Sequence, residues 1–449
     1  MLPLISVVLT SALAAGAVAA GASSSTKAAC NEISAAIRDR VWSNRLSKNY
    51  YSEVNSYWST NLRDAKPACL VLPQSAEEVA AAVKILNKYP DVQFAVKSGG
   101  HTPNERHSSI KDGVLISTRD MSGVTYDKET QIAYVKPGGE WNDVLGPLNK
   151  QGVTIVGGRL ANGTIRNVDA SKEPELAVAL KGSGSQFGIV TQFKIKAYPI
   201  GQVWGGMRMY SGGKADEIYA ALHNFVPGNA ADEKAAIILT DITAIGGVKM
   251  FLMFYFYAAP EPPKTGPLAQ FLNIDSIIDI TKTQSYAELT FTLPYVKDAP
   301  HMYREISDKF SSLLSNILKN PLRLTSQCSI DFQPFPSVIG KHSQERGGNA
   351  MGISGSDLDR ILLEVQCSWS SANDDKVFRE VSKKLTDWLE IKVPEWTKGQ
   401  KYYLPYLMND AAADQNVTGM YKGYGKFKAL QKEMDPEGFF KQRGGGFVY

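Results

Sequence analysis

The segment best suited to chemistry is Val96-Lys97-Ser98-Gly99-Gly100-His101-Thr102. An apolar run that ends in two glycines lets backbone N–H groups converge on a phosphate, because glycine has no side chain in the way. Ser98 and Thr102 add hydroxyl donors, and His101 follows where the reactive part of a cofactor could approach. The alternative is a tight turn with an ordinary histidine, so this segment alone does not decide the function.

Two further glycine-rich segments follow, Val156-Gly157-Gly158-Arg159 and the longer run Leu180 to Thr191. The longer run lacks the G-x-G-x-x-G spacing and precedes a strand-like pattern, which argues against a Rossmann-type dinucleotide site. It also lacks the Lys-Ser/Thr ending of a phosphate-binding P-loop. The chain has no G-x-S-x-G nucleophile elbow, and its histidines lack metal-ligand spacing, so we expect no metal.

The elements that position these segments alternate between helices and strands in the first half of the chain. Ser75-Ala76-Glu77-Glu78 is a capping box that begins a helix, and Phe94-Ala95-Val96 predicts a buried strand. Val124–Tyr126 and Ile132–Val135 predict a hairpin, and alternation from Ile189 to Ile195 predicts a further strand. The first domain is therefore expected to be mixed α+β.

Beyond Pro199 the pattern changes to long strand-like runs. Residues 236–243 and 248–257 predict an antiparallel hairpin, and helical stretches follow around 301–318 and 375–389. This pattern predicts a second domain with an antiparallel sheet covered by helices. With 449 residues, the chain is long enough for two or three domains. The 49 basic and 45 acidic residues are too balanced for nucleic-acid binding by charge alone.

The first 19 residues predict a secretory signal peptide. Leu2 to Ala20 carries no charge, and Ala17-Val18-Ala19 matches a cleavage signal. The alternative is a membrane anchor, but the run barely reaches spanning length, and no other segment is a membrane-span candidate. Secretion also suits the sequons Asn162-Gly163-Thr164 and Asn416-Val417-Thr418, which predict a glycoprotein.

The four cysteines allow three disulfide connectivities. Sequence order favours a bridge between Cys30 and Cys69. Cys328 and Cys367 each share the apolar face of a strand-like run. They form either a second bridge or two buried thiols, and both alternatives stay open.

The glycine-rich segments, taken together and in this order, resemble the FAD-linked oxidoreductases of the vanillyl-alcohol-oxidase superfamily. Their FAD-binding domain is named after p-cresol methylhydroxylase, and the chain looks closest to secreted fungal members of the berberine-bridge-enzyme-like branch. The resemblance spans nearly all of residues 30–449. It is carried by Pro73–Val79, VKSGGHT, Lys136-Pro137-Gly138, GVTIVGGR, ALKGSGSQFGIVTQF, and a tail that contains MNDAAADQ and DPEGFF.

The resemblance implies a domain plan. An N-terminal segment (20–66) precedes the FAD-binding domain (67–199). The substrate domain (200–400) comes next, and the tail (401–449) returns to the FAD domain.

The resemblance also implies site residues. FAD would be attached covalently to His101, with its pyrophosphate held at Ser98, Gly99, Gly100 and Thr102. The remaining expected cofactor contacts are Gly158, Gly188, Ile189 and Asn409. Tyr406 is the candidate catalytic base, because a tyrosine can accept a substrate proton. Tyr402 and Tyr403 are alternatives to it.

The chain departs from the family pattern after Arg159. Family members continue there with a second glycine-rich loop, whereas here Leu160-Ala161-Asn162-Gly163-Thr164 follows at once, so several tens of residues are missing. The missing loop normally wraps the flavin and often carries a second covalent attachment through cysteine. No cysteine lies between Cys69 and Cys328, so we expect no second link.

The function expected from the sequence is a secreted, monomeric FAD-dependent oxidoreductase. It would oxidise an alcohol, a sugar or a C–H bond of a secondary metabolite, with dioxygen as the acceptor and no nucleic-acid or membrane partner. The alternative is a flavin-deficient relic, or a splice or gene-model variant, that binds a ligand without redox chemistry.

Overall fold

The computed structural model describes residues 22–155, 168, 171–228, 232–244, 247–284, 293–294, 296–323 and 326–449. The predicted signal peptide, Gly158, Arg159 and the sequon at Asn162 lie outside the described residues. The helices of the described part are α1 (Ser24–Ala36), α2 (Lys48–Asn55), α3 (Thr60–Asp64), α4 (Ala76–Asn87), α5 (Trp141–Asn149), α6 (Pro174–Ala179), α7 (Ala215–Gly228), α8 (Pro267–Leu272), α9 (Met302–Leu314), α10 (Ser337–Glu345), α11 (Asp375–Trp396), α12 (Tyr424–Met434) and α13 (Phe439–Arg443).

The first sheet consists of β1 (Val41–Trp42), β2 (Cys69–Val71), β3 (Phe94–Lys97) and β4 (Val114–Ser117). Its order is β1-β2-β4-β3, and β4 pairs in parallel with both β2 and β3. α4 lies between β2 and β3 in the chain, as a parallel arrangement requires a crossover connection. Ser75 accepts a hydrogen bond from the Glu78 N–H at 3.3 Å, so the predicted helix start is confirmed.

The second sheet is antiparallel, in the order β5-β6-β8-β7. Its strands are β5 (Val124–Asp127), β6 (Ile132–Val135), β7 (Val153–Ile155) and β8 (Phe193–Pro199). The predicted hairpin is confirmed as β5 and β6. The strand expected to begin at Ile189 begins instead at Phe193. Ile189 instead packs into the core of the first sheet, so the segment before Phe193 is not paired in the second sheet.

The third sheet is also antiparallel and is the largest. Its strands are β9 (Val203–Ser211), β10 (Ala235–Thr243), β11 (Lys249–Tyr257), β12 (Ile278–Asp279), β13 (Lys282–Gln284), β14 (Leu293–Pro294), β15 (Gln327–Phe335) and β16 (Arg360–Ser368). They follow the order β12-β9-β11-β10-β15-β16-β14, with β13 also on β9. Phe225, Phe310 and Leu385 from the helices pack on one face of this sheet, against Phe251 and Phe332. The expected α+β class, with an antiparallel sheet under helices, is confirmed.

Two disulfides join the four cysteines. Cys30–Cys69 ties α1 to β2, and Cys328–Cys367 joins facing residues of β15 and β16, whose Cα atoms are 4.1 Å apart. Both cysteine pairs are therefore bridged, and the alternative of two buried thiols is wrong.

Within the described ranges, no helix combines the length and apolar character needed to cross a bilayer.

Candidate active site

The turn that follows β3 is shaped by its second glycine. Gly100 has a φ of +70°, and a Cβ there would lie 2.7 Å from Lys97 Cε and 3.0 Å from the Tyr57 ring. Gly99, by contrast, has open space where a Cβ would be. The Ser98 hydroxyl donates to the Pro137 carbonyl at 2.5 Å, and this bond anchors the turn to the segment that follows β6.

The backbone of this turn presents free donors. The N–H groups of residues 98–102 donate no hydrogen bond to any residue of the described part of the chain. His101 is exposed, and its carbonyl accepts a bond from Trp58 Nε1 at 2.7 Å. A run of unengaged amides around two glycines is a typical anion-binding concavity.

A buried group of charged side chains lies beside the turn and packs against it. Lys97 Nζ lies 2.5 Å from Glu53 Oε1, and these side chains are only 3% and 2% exposed. Arg119 reaches the other Glu53 oxygen at 2.9 Å, and the Ser117 hydroxyl donates to the carboxylate at 2.8 Å. Sequence reasoning missed Glu53. The signal that could have found it is a lysine at the end of a buried strand, which needs a counter-charge.

The glycine-rich loop at 182–190 lies beside the C-terminus, and its residues 186–190 are buried. Ser183 and Tyr449 share a hydrogen bond of 2.6 Å. Gly188 leads into Ile189, which packs in the same apolar cluster as Phe94 of β3. The structure therefore brings these two predicted cofactor contacts close to the strand that carries the His101 turn. Gly158 lies outside the described residues.

The tail is tied to the His101 turn through Asn104. Its side-chain amide donates to the Ala411 carbonyl at 2.8 Å and accepts from the Ala413 N–H at 3.1 Å. Asn409, two residues before Ala411, is exposed. Tyr406 packs against a separate apolar cluster around Phe187 and Tyr449, and its role as a base stays a prediction.

Three carboxyl groups, all missed by sequence reasoning, interact at the third sheet, two of them through strand pairing and the third through its charge. Asp331 of β15 lies directly opposite Glu364 of β16. Gln366 Nε2 donates to both, at 2.8 Å to Asp331 and 2.5 Å to Glu364. The third carboxyl group belongs to Asp410, whose charge acts on Glu364. No local pattern identifies the three as one group, because they come from distant parts of the chain.

Burial makes these three carboxyl groups weaker acids than exposed carboxyl groups, because it raises their pKa values. It raises the pKa of Asp410 to about 7 and that of Asp331 to about 6. The pKa of Glu364 is also raised, and burial is the largest cause. The Gln366 hydrogen bond lowers this pKa, whereas the charges of Asp331 and Asp410 raise it further. Groups that titrate near neutral pH beside a cofactor site are suited to proton transfer.

The residues present fit an FAD molecule. The unengaged amides of the turn and the open space at Gly99 suit a pyrophosphate. Gln186 is fully buried, yet neither its amide oxygen nor its amide nitrogen has a hydrogen-bond partner in the protein. A buried polar group left unpaired costs about 1–3 kcal/mol, so a polar ligand at this position would stabilise the loop.

The fold and the site thus define a flavoprotein oxidoreductase, and comparison with known proteins agrees. Residues 67–167 match a family model described as an FAD binding domain. The chain is 30% identical to an FAD-linked oxidoreductase of Arthroderma benhamiae, with 89% of this chain and 91% of that protein covered. It therefore belongs to the family of FAD-linked oxidoreductases, which confirms the resemblance seen in the sequence.

Two further comparisons support this assignment. An FAD-dependent monooxygenase of Emericella nidulans is 28% identical, over 89% of this chain and 94% of that protein. Among solved structures, berberine bridge enzyme from Eschscholzia californica superposes with a TM-score of 0.62 at 16% identity, and 94% and 99% of the two chains are covered. This structural likeness shows a shared fold.

The length of the alignment bears on the segment expected to be missing. The match to the Arthroderma protein extends over 462 positions, more than the 449 residues of this chain, although only 89% of the chain takes part. The relative therefore has residues where this chain has none. That they fall after Arg159 stays a prediction.

Proposed function

We propose that this protein is a secreted oxidase that works as a monomer, with FAD attached to His101 and dioxygen as electron acceptor. It oxidises an alcohol, a sugar or a C–H bond of a secondary metabolite. The observation that carries the proposal is the group formed by Asp331, Glu364 and Asp410. Asp410 is next to Ala411, whose carbonyl is bonded to the Asn104 side chain three residues after His101. Proton-accepting groups and the flavin-attachment turn therefore belong to one region.

The chain's own residues supply binding and proton transfer. When bound, FAD takes up the two electrons and the hydrogen that leave the substrate carbon. The turn amides hold the pyrophosphate, with Ser98 contributing its backbone N–H because its hydroxyl donates to Pro137, and exposed His101 is available for the covalent link. Asp410, with a pKa of about 7, can accept the substrate proton at neutral pH and return it to solvent. Tyr406 is the other candidate base.

The decisive measurement is the visible absorbance spectrum of the purified secreted protein, before and after acid precipitation. Flavin colour that stays in the pellet supports a covalent link, and His101→Ala is expected to move the colour to the supernatant. A folded but colourless protein would overturn the proposal and favour the flavin-deficient relic. Peroxide release during substrate screening tests dioxygen as the acceptor.

Two features of the secretion proposal can be tested on the same preparation. N-terminal sequencing of secreted protein is expected to begin after Ala19. The Asn416 side chain is exposed, which suits glycosylation, and the Thr418 hydroxyl donates to the Val448 carbonyl at 2.5 Å. A mass decrease on treatment with an N-glycosidase is expected, and Asn416→Gln identifies this site's share of the decrease.

A further inference from the structure

The carboxyl groups of β15 and β16 lie on the face of the third sheet that the helices do not cover. Ile330 and Phe332 belong to the helix-packed core, so Asp331 between them points to the opposite face. Facing residues in neighbouring antiparallel strands share a face. A row therefore crosses five strands on this face: Met209, Leu252, Thr240, Asp331 and Glu364.

This row is apolar at one end and acidic at the other. Leu252 is partly exposed, and the next residue of β11 on the same face, Phe254, is 40% exposed. Glu364 is likewise partly exposed. A ligand that lies along the row would meet an apolar surface first and carboxyl groups at its end.

The carboxyl groups have no cationic partner in the described part of the protein. No salt bridge there joins Asp331, Glu364 or Asp410 to a lysine, arginine or histidine. Asp331 is only 5% exposed, and its Oδ1 has no hydrogen-bond partner, while its Oδ2 accepts from Gln366. Asp410 Oδ2 is also buried and unpartnered. Negative charge in such a place is costly unless a positive group pairs with it.

A metal ion does not suit this place. Across the described residues, no group of three or more His, Cys, Asp or Glu side chains is arranged to hold a metal. An organic cation with an apolar body would pair with the ionised acids and match the apolar surface of Leu252 and Phe254.

We propose that Asp331, Glu364 and Asp410 form a subsite for the ammonium group of an amine-bearing substrate. This inference rests on the proposed oxidase function, because it assigns the substrate of the same site to the amines. The formal charge of the whole chain is +4, so general electrostatic attraction would not draw a cation to it. Any preference for a cation must then come from the carboxyl groups of Asp331, Glu364 and Asp410.

The test uses the full-length holoprotein and two isosteric probes at pH 8. 2-Phenyl-2-propylamine carries an ammonium group where 2-phenyl-2-propanol carries a hydroxyl. In both compounds the carbon that bears this group has no hydrogen to be removed. Both therefore report binding without turnover. By calorimetric titration, we expect the amine to bind at least tenfold more tightly than the alcohol. Equal affinities, or no measurable amine binding, would overturn the proposal.

The double variant Asp331→Asn/Glu364→Gln is expected to lose at least tenfold in amine affinity, with alcohol affinity kept within twofold. The matched control is Glu380→Gln/Asp387→Asn, which removes two exposed carboxylates from α11. An equal loss in the control would overturn the proposal. If the double variant does not fold by circular dichroism, Asp410→Asn replaces it, with a loss of at least threefold expected.

The same preparations separate this inference from the proposed function. A yellow protein that releases peroxide with an alcohol but does not prefer the amine probe refutes the amine subsite alone. A colourless protein refutes the oxidase function, whatever it binds.

Discussion

Lys97 and Glu53 form an ion pair of 2.5 Å directly under the turn that carries His101. Lys97 also donates to the Ser56 hydroxyl at 2.7 Å and lies 4.6 Å from the centre of the Tyr57 ring. Because Gly100 packs on Lys97 and Tyr57, the position of this pair fixes the shape of the turn. The ion pair is thus a positioning device for the cofactor segment.

We expect Glu53→Gln to lower the free energy of unfolding by about 3 kcal/mol, because it leaves the Lys97 charge buried without its partner. Urea-induced unfolding at pH 7 measures this. Adding Lys97→Met should restore most of the loss, since the unpaired charge is then gone. Glu32→Gln, which removes the exposed partner of Lys88, is the control and should have no effect. Equal effects of Glu53→Gln and the control would contradict the positioning role.

The two glycines of the turn should respond differently to alanine. Gly100→Ala forces a side chain into a left-handed conformation against Lys97, so we expect a loss of stability of about 1–2 kcal/mol. Gly99→Ala meets open space and should leave stability unchanged. If this space holds the pyrophosphate, Gly99→Ala should nevertheless lower the flavin-to-protein absorbance ratio. If the Gly99→Ala protein keeps its full flavin content, the pyrophosphate does not occupy the space beside Gly99.

The second disulfide stabilises the strands that carry two of the carboxyl groups. Cys328 faces Cys367 three residues from the Asp331–Glu364 pair, and its loop spans 39 residues, as does that of Cys30–Cys69. A loop of this length predicts a stabilisation of about 3–4 kcal/mol for either bridge. We expect Cys328→Ser/Cys367→Ser to lose about this amount in denaturant unfolding. A thiol titration of the unreduced, denatured wild type should find no free thiol, and two free thiols would refute the bridge.

The parts of the fold that local patterns determine could be predicted from the sequence. The apolar run at Phe94 and the paired runs now seen as β10 and β11 have strand periodicity over many residues. Placing Cys328 and Cys367 each on the apolar face was correct, but joining them requires the register of β15 against β16. The prediction that the strand begins at Ile189 was wrong because alternation alone does not reveal that Ile189 packs into the core of a different sheet.

The site was only partly predictable, because its charged members come from distant segments. Glu53 and Lys97 are 44 residues apart, and although the buried strand at Lys97 indicates that a counter-charge is needed, no local pattern identifies Glu53 as that charge. Asp331 and Glu364 become a pair only through strand register, and Asp410 joins them from the tail. Short motifs predict a cofactor segment, but only tertiary contacts show which acids come together.

The raised pKa values of the carboxyl groups predict how stability depends on pH. A carboxyl whose pKa is higher in the folded than in the unfolded state binds protons more tightly when folded. The free energy of unfolding must then fall as the pH rises above about 4 and through the folded pKa values. Asp331 at about 6 and Asp410 at about 7 place this fall between about pH 4 and pH 7, and the stability should level off above that range.

We therefore expect the effect of Asp331→Asn on the free energy of unfolding to be more favourable at pH 8 than at pH 4 by about 2 kcal/mol. The reason is that one pKa unit corresponds to about 1.4 kcal/mol. Urea unfolding at both pH values measures the difference. Asp387→Asn, an exposed carboxylate of α11, is the matched control and should show no such pH dependence. Parallel pH dependences of the wild type and Asp331→Asn between pH 4 and pH 8 would mean that folding does not raise the pKa of Asp331. The amine-binding role would then lose part of its basis, because Asp331 would not behave as a buried acid without a charge partner.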